Sequence, residues 1–337
     1  MTTNLPKRQQ QVLVPKPDSS VIKWLLDAGS DPSIRWQVMQ DLIGAPSVEV
    51  AAERARVAAE GWGARLLGMQ AADGSWGGEA WNHGWDSTMH VLSLLREMGL
   101  DPASEEARRA AGLVRDHVRW LGWDWDGTWR GEDFVGNPFF AGEVEPCING
   151  QVAASGAYFG LTEDTERIIG LLLAEQLSDG GWNCEAERGS TRSSFNTTIC
   201  VLEALLEYDL AGGARSAEVR EARLRGQEYL LERHLLRRLS TGDVIDAAFT
   251  QFSFPTWWHY DVLRGLEYFR RADATPDARM SEAIELVCSK RDSEGRWLLD
   301  NQYPGNMPVD LDEGEGEPSR WNTLRALRVL NWYSAQE

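Results

Sequence analysis

Two stretches decide the fold: Gln70-Ala71-Ala72-Asp73-Gly74-Ser75-Trp76 and Gln176-Leu177-Ser178-Asp179-Gly180-Gly181-Trp182. The acid-Gly-x-Trp core of these stretches recurs as Asp126-Gly127-Thr128-Trp129 and Glu294-Gly295-Arg296-Trp297. The tryptophans are spaced by 53, 53 and 115 residues, the last being close to two periods. Another acid follows each Trp by three positions: Glu79, Glu132, Glu185 and Asp300. A period of this size marks a repeated supersecondary unit. Glycine permits a tight turn, and the indole packs a large face while needing a partner for its N–H. Trp76, Trp129, Trp182 and Trp297 are therefore expected to be structural.

Helical patterns flank every copy. AAERARVAAEGWGARLLGMQ (51–70) precedes the first with apolar residues at three- and four-residue steps, and GWDSTMHVLSLLREMGL (84–100) follows it and ends past Gly99. The same pairing recurs down the chain and gives six helical hairpins, two of them lacking the motif loop. Strand signals are weak. The second helix of each pair is the more apolar and carries the smaller residues. That asymmetry predicts an all-α fold, an α/α toroid in the form of a six-hairpin (α/α)6 barrel, with second helices inside. The alternative is an open solenoid.

Composition narrows the function. The chain has 337 residues, 34 Lys+Arg against 52 Asp+Glu, and a net charge of −18. Such acidity repels phosphate backbones, so no nucleic-acid partner is expected. No transmembrane segment and no signal-peptide pattern is evident. Four cysteines make no disulfide framework and suit a reducing, cytoplasmic setting. The 16 tryptophans are several-fold above ordinary usage. Residues 1–18 read as a flexible N-terminal arm, and 19–337 as a single toroid domain.

The Q-x-x-x-G-x-W pattern at Gln70–Trp76 and Gln176–Trp182 resembles the repeat of squalene and hopene cyclases. The related protein prenyltransferase β-subunits share the α/α toroid. The resemblance covers residues 20–335 and implies the toroid fold, one barrel where a triterpene cyclase has two. It also implies a small hydrophobic, isoprenoid-like substrate. Two signatures of terpenoid chemistry are missing. There is no D-D-x-x-D, and the nearest string to D-x-D-D is Asp310-Leu311-Asp312-Glu313, in an acidic Gly-rich stretch that reads as a solvated loop.

If the inner helices run parallel, their N-termini meet at one mouth. This places Trp36, His83, Trp85, Asp86, Cys147, Asn149, Asn196, Trp257, Trp258, His259, Tyr260, Asp261 and Trp321 on one rim, with Cys184 leading into it. Four chemistries fit that set. In the first, a terpene-cyclase-like lyase or isomerase works by protonation in a Trp-lined cavity and requires no cofactor. Asp261 or Asp86 is the acid, with His259 and Tyr260 as catalytic partners. Trp36, His83, Trp85, Asn149, Asn196, Trp257, Trp258 and Trp321 bind the substrate or stabilise a cation. The ordinary reading of Asp86 and Asp261 is that each caps a helix N-terminus. In the second, Cys147, Cys184 and His259 hold zinc with an open fourth position for transferase or cyclase chemistry. Similar sites are known in other α/α toroids. The third is a non-catalytic lipid- or protein-binding toroid. The fourth is a carbohydrate-active barrel with Asp86 and Glu185 as its two carboxylates. The loop at 236–256, with its aromatic tail FSFPTWW (252–258), is placed to cover the cavity, and so is the aromatic segment 123–146.

Overall fold

The computed structural model describes residues 19–122, 124, 128–131, 133–311 and 314–335. The expected arm over 1–18 lies outside these residues. So do Asp126 and Gly127 of the second motif copy, Glu132 after it, and Asp312 and Glu313 of the acidic loop. The chain is mostly helical. Helices α1 (Ser19–Leu25) and α2 (Pro32–Asp41) come first. Next are α3 (Ser47–Ala55) and α4 (Gly61–Gly68), leading to α5 (Thr88–Glu97). Then α6 (Glu105–His117) precedes α7 (Pro146–Tyr158), and α8 (Glu166–Ala174) precedes α9 (Phe195–Leu210). Finally α10 (Ser216–Glu232) precedes α11 (Val262–Arg271), and α12 (Ser281–Ser289) precedes α13 (Arg320–Ser334). Two short antiparallel ladders sit in the connections, one between 119–121 and 135–138, the other between 297–298 and 318–319.

The second helices pack in sequence. Helix α5 lies on α7, α7 on α9, α9 on α11, α11 on α13, and α13 on α2. Helix α2 reaches the end of α5 through Trp36 Nε1, which donates to Met98 O at 2.9 Å, and Gln37 Nε2, which donates to Glu97 O at 3.2 Å. The α7–α9 contact is closest. A Cβ on Gly150 would come within 2.7 Å of Cys200 O, so that position needs glycine. Along α7, α9, α11 and α13 nearly every residue is buried, charged ones included. Helices enclosed on all sides have no solvent face on which to leave their polar residues.

The repeat is a hydrogen-bond stitch. Trp76, Trp182 and Trp297 each donate their indole N–H to the carbonyl ten residues back, on Leu66, Leu172 and Val287, at 2.6–2.7 Å. The backbone N–H of each of these tryptophans donates to a threonine hydroxyl in the following inner helix, Thr88, Thr198 or Thr323, at 3.0–3.1 Å. Gln70 and Gln176 reach across to the next outer helix, donating to Ala110 O and Ala222 O at 3.0 and 2.8 Å. Gly74 and Gly180 have φ of +83° and +96° and lie against the carbonyls of Leu113 and Arg225, where a Cβ would come within 2.6 Å. Only glycine satisfies both conditions.

The second copy departs from the structural role expected for it. Trp129 is 52% exposed. The buried indole of that hairpin is Trp120, which donates to Phe139 O at 2.9 Å and stacks on the Phe139 ring. The chain here folds back as a strand ladder, and this carries Trp129 out to the rim. Replacing Trp182 by Phe strands a buried carbonyl, so Trp182→Phe is expected to cost about 1–3 kcal/mol in urea unfolding. Trp129→Phe is expected to stay within ~0.5 kcal/mol of the parent. Equal losses would show that the stitch is not what holds the hairpins.

Candidate functional site

The expected rim residues divide into groups with different surroundings. At the mouth, the strap 252–260 crosses over the inner helices. Trp257 stacks on Trp85 with centroids 4.8 Å apart, and the His90 ring meets both edge-on at 5.1 and 5.2 Å. His90 Nδ1 pairs with Ser87 Oγ at 2.7 Å, while Nε2 has no hydrogen bond. Burial pushes the His90 pKa down to about 3. Trp257 takes a left-handed φ of 52°, strained for a bulky residue. Arg264 pins the strap from below, donating to Trp257 O and His259 O at 2.9 and 2.6 Å while holding Glu203 with two bonds of 2.8 Å. Residues 254–257, in the aromatic tail of the segment expected to cover the cavity, line it at this end.

The proposed acid and its partners sit in this seal. Asp261 is buried and caps α11, accepting from the backbone N–H of Arg264 at 2.7 Å and of Ser253 at 3.3 Å. Burial raises its pKa against the pull of Arg325. His259 is stacked between Trp258 and Tyr303 at 3.6 and 3.7 Å, and burial, then Arg264, lowers its pKa to about 4. Tyr260 is core: its hydroxyl donates to Leu235 O and its N–H to Asn196 Oδ1, both at 2.8 Å. Asn196 therefore holds backbone. Asp86 accepts from Asn82 Nδ2 at 2.9 Å. Trp36 has the Arg54 guanidinium over its ring at 4.9 Å, and Trp321 stacks on Phe254 at 4.2 Å.

Cys147 and Cys184 come together, with Glu145 as the third member. One ligand atom from each of the three lies within 4.8 Å of the others. Cys147 sits in the first turn of α7, and Cys184 opens a 3-10 turn capped by Asn183 Oδ1. The Cys147 thiol donates to Glu145 Oε2 at 3.7 Å, and the closeness of the two sulfurs raises the pKa of Cys147 and lowers that of Cys184. Thr197 Oγ1 also approaches Cys184 Sγ, at 3.5 Å. Two sulfurs and one carboxylate are a ligand set suited to zinc with an open position. His259 is outside this cluster because its ring is clamped in the aromatic stack.

The cluster borders a groove of about 610 Å³, lined by Trp81, Trp120, Trp129, His83, Glu79 and Glu143 among others. His83 meets Trp81 edge-on at 4.7 Å. Asn149 fixes the Glu143 backbone, accepting from its N–H at 2.9 Å and donating to its carbonyl at 3.0 Å. Burial pushes the Glu143 carboxyl up to about 8, opposed by two backbone N–H groups and reinforced by Glu145 and Cys184. Sequence reasoning missed Glu143 and Trp120. Their signal was the aromatic and acidic density of 123–146 and its approaches.

The central cavity takes Trp36, Trp257 and Trp321 into its lining, as expected, but it is not predominantly aromatic. It measures about 260 Å³, and seven arginines and four carboxylates line it. A carbocation there would face guanidinium charge. The sequence signal was present: Arg264, Glu267 and Arg271 on α11, and Trp321, Arg325 and Arg328 on α13, recur at helical spacing on otherwise apolar helices. Among the described residues no helix is long and apolar enough to cross a membrane.

No protein-family model matches the chain, and no curated protein matches it. Among solved structures the chain is similar to the type II terpene cyclase MstE from Scytonema without ligand, at 18% identity over 92% of this chain and 95% of that one, with a TM-score of 0.43. It is also similar to a variant of MstE in complex with its substrate geranylgeranyl dihydroxybenzoate, at 18% identity over 91% and 87%, with a TM-score of 0.45. A protein from Actinoplanes is similar at 18% identity over 90% of each chain, with a TM-score of 0.43.

The folded-state pKa of His90 lies below its unfolded value of 6.5, so unfolded chains bind more protons between the two. The resulting stability is present above pH 6.5 and is lost as pH falls toward 3. Between pH 7 and pH 4, His90 is expected to remove roughly 3 kcal/mol. Urea melts of the parent and His90→Met at both pH values check this. An unchanged pH dependence in the variant would remove His90 as the cause.

Proposed function

We propose that the chain closes as a six-hairpin α/α toroid and is a terpene-cyclase-like lyase or isomerase of an isoprenoid-derived substrate, with protonation in the tryptophan-lined groove as the first step. Closure is supported by the run of inner-helix contacts that returns from α13 to α2. The observation that carries the chemistry is the groove itself, whose lining combines Glu143 with Trp81, Trp120 and Trp129, set against a central cavity where seven arginines stand among its three indoles. Glu143 gives its proton to one carbon of an alkene. The π pair becomes the new C–H bond and leaves a cation on the neighbouring carbon. The ring faces of Trp81, Trp120 and Trp129 stabilise that cation. Loss of a proton from an adjacent carbon to the exposed Glu79 carboxylate regenerates a double bond. In this reading Asp261 and Asp86 are helix-end carboxylates, and His259 and Tyr260 hold the seal.

A second reading rests on the Glu145–Cys147–Cys184 cluster, with zinc held there for transferase or cyclase chemistry. Zinc would supply Lewis acidity at its open position. A cation on Glu145 would ionise the neighbouring Glu143, so the two readings are alternatives.

Incubation with polyprenyl substrates and product analysis by mass spectrometry tests the first reading. Glu143→Gln is expected to lower turnover roughly 100-fold or more with an unchanged melting curve. Full activity in that variant would eliminate Glu143 as the acid. Metal analysis of protein purified without chelators tests the second: stoichiometric zinc, lost in Cys184→Ala, supports it, and only trace zinc removes it.

A further inference from the structure

We propose that the central cavity is a binding site for a small polyanion, an oxyanion of diphosphate or tricarboxylate size. This goes beyond the groove reading and does not rest on it.

The first argument is charge. In a chain of net charge −18, this one space collects seven guanidinium groups against four carboxylates. Five of the guanidinium groups are matched, Arg96 through Glu97 at 2.8 Å, Glu207 at 3.6 Å and Glu203 at 3.8 Å. Arg264 pairs with Glu203 at 2.8 Å, Arg270 and Arg328 pair with Glu267, and Arg271 pairs with Glu207. Arg54 and Arg325 form no ion pair with a described carboxylate. Arg54 donates to Gly99 O at 2.8 Å and to the Tyr158 hydroxyl at 2.9 Å. Arg325 donates to Ser253 O at 2.9 Å. Cations near helix C-termini offset the helix dipole, which accounts for Arg96, Arg270 and Arg271 in the last turns of their helices. That effect does not explain Arg325 in the middle of α13. Arg325 is buried and acts on Asp261 and Glu267 only from beyond ion-pair distance, so an anion in the cavity would give it a direct partner.

The second argument is the unused hydrogen-bonding capacity. Arg96 Nε, Arg328 Nε and Trp321 Nε1 are buried without a hydrogen bond. These residues are 7%, 9% and 1% exposed, and all three line the cavity. Each of these atoms is a donor. Unmatched donors of this kind call for a ligand rich in acceptors, and guanidinium forks fit phosphate and carboxylate oxygens.

The third is shape. Phe254, Pro255 and Trp257 close one end. At the other, Gln40 and Glu97 are exposed and give a route in from the C-terminal ends of α2 and α5. A volume of about 260 Å³ falls just below the roughly 300–1,000 Å³ of drug-sized pockets, which suits a compact ion.

Isothermal titration of the full chain with sodium diphosphate and, separately, with citrate at fixed ionic strength tests this. One of the two is expected to bind saturably, one per chain, and to raise the melting temperature. Arg325→Met and Arg54→Met are expected to weaken binding about tenfold or more. Trp321→Phe removes the N–H together with the pyrrole part of the buried indole, so its melting curve is recorded beside its affinity, and it is expected to stay folded and to weaken binding by roughly threefold. The exposed Arg109→Met is expected to bind like the parent. The better of the two ions tells whether phosphates or carboxylates are the ligand class. No saturable binding of either ion, or equal affinity in the parent and all three cavity variants, would overturn the proposal while leaving the groove chemistry as it stood.

Discussion

The structure depends on one bond made three times: an indole N–H given to a carbonyl ten residues earlier, at Trp76, Trp182 and Trp297. It ties the end of an outer helix to the turn that leads inward. The threonine that accepts the same tryptophan's backbone N–H fixes the start of the inner helix. The glutamines then reach the following outer helix. The two turns that carry a glutamine therefore set three helices at once. Close approach of the next helix's carbonyl is what makes glycine obligatory at 74 and 180. Hairpins joined this way must stack in register, and the run of contacts from α2 through α13 and back is the result.

Stacking in register has a consequence for charge. The inner helices are enclosed along most of their length, so most polar residues on them face a neighbouring helix or the cavity between them. The axis receives Arg264, Glu203, Glu267 and Arg328 as matched ions. Buried pairs of this kind add little net stability compared with apolar packing, and each becomes costly if one partner is missing. They make the centre of the molecule a place for ions and a poor one for a hydrocarbon cation. At the rim, the loop after α6 opens into an aromatic groove next to the two thiols.

The seal over the mouth follows from the same arrangement. Arg264 is fixed by Glu203 and holds the strap by two of its backbone carbonyls. That grip brings Trp257 onto Trp85 and encloses His90 between them. Residues that a reading of helix starts gathers on one open rim are thereby separated. Asp261, His259 and Tyr260 belong to the seal. Cys147, Cys184 and His83 stay beside the groove.

By itself the sequence determined the helical pairs and their turns, because periodicity, glycine and tryptophan act locally and each stitch spans only ten residues. It also suggested that Cys147 and Cys184 meet, since Cys147 stands where one inner helix begins and Cys184 lies in the loop leading to the next. It did not determine the part played by Trp129, because a motif does not say whether its loop folds inward, and here a strand ladder put Trp120 in the buried place. Nor did it reveal Glu143 as the carboxyl in the groove or the charged axis. Those depend on which faces of different helices meet across the interior. That pairing is decided by packing among residues tens to hundreds of positions apart, which only the tertiary structure brings into contact.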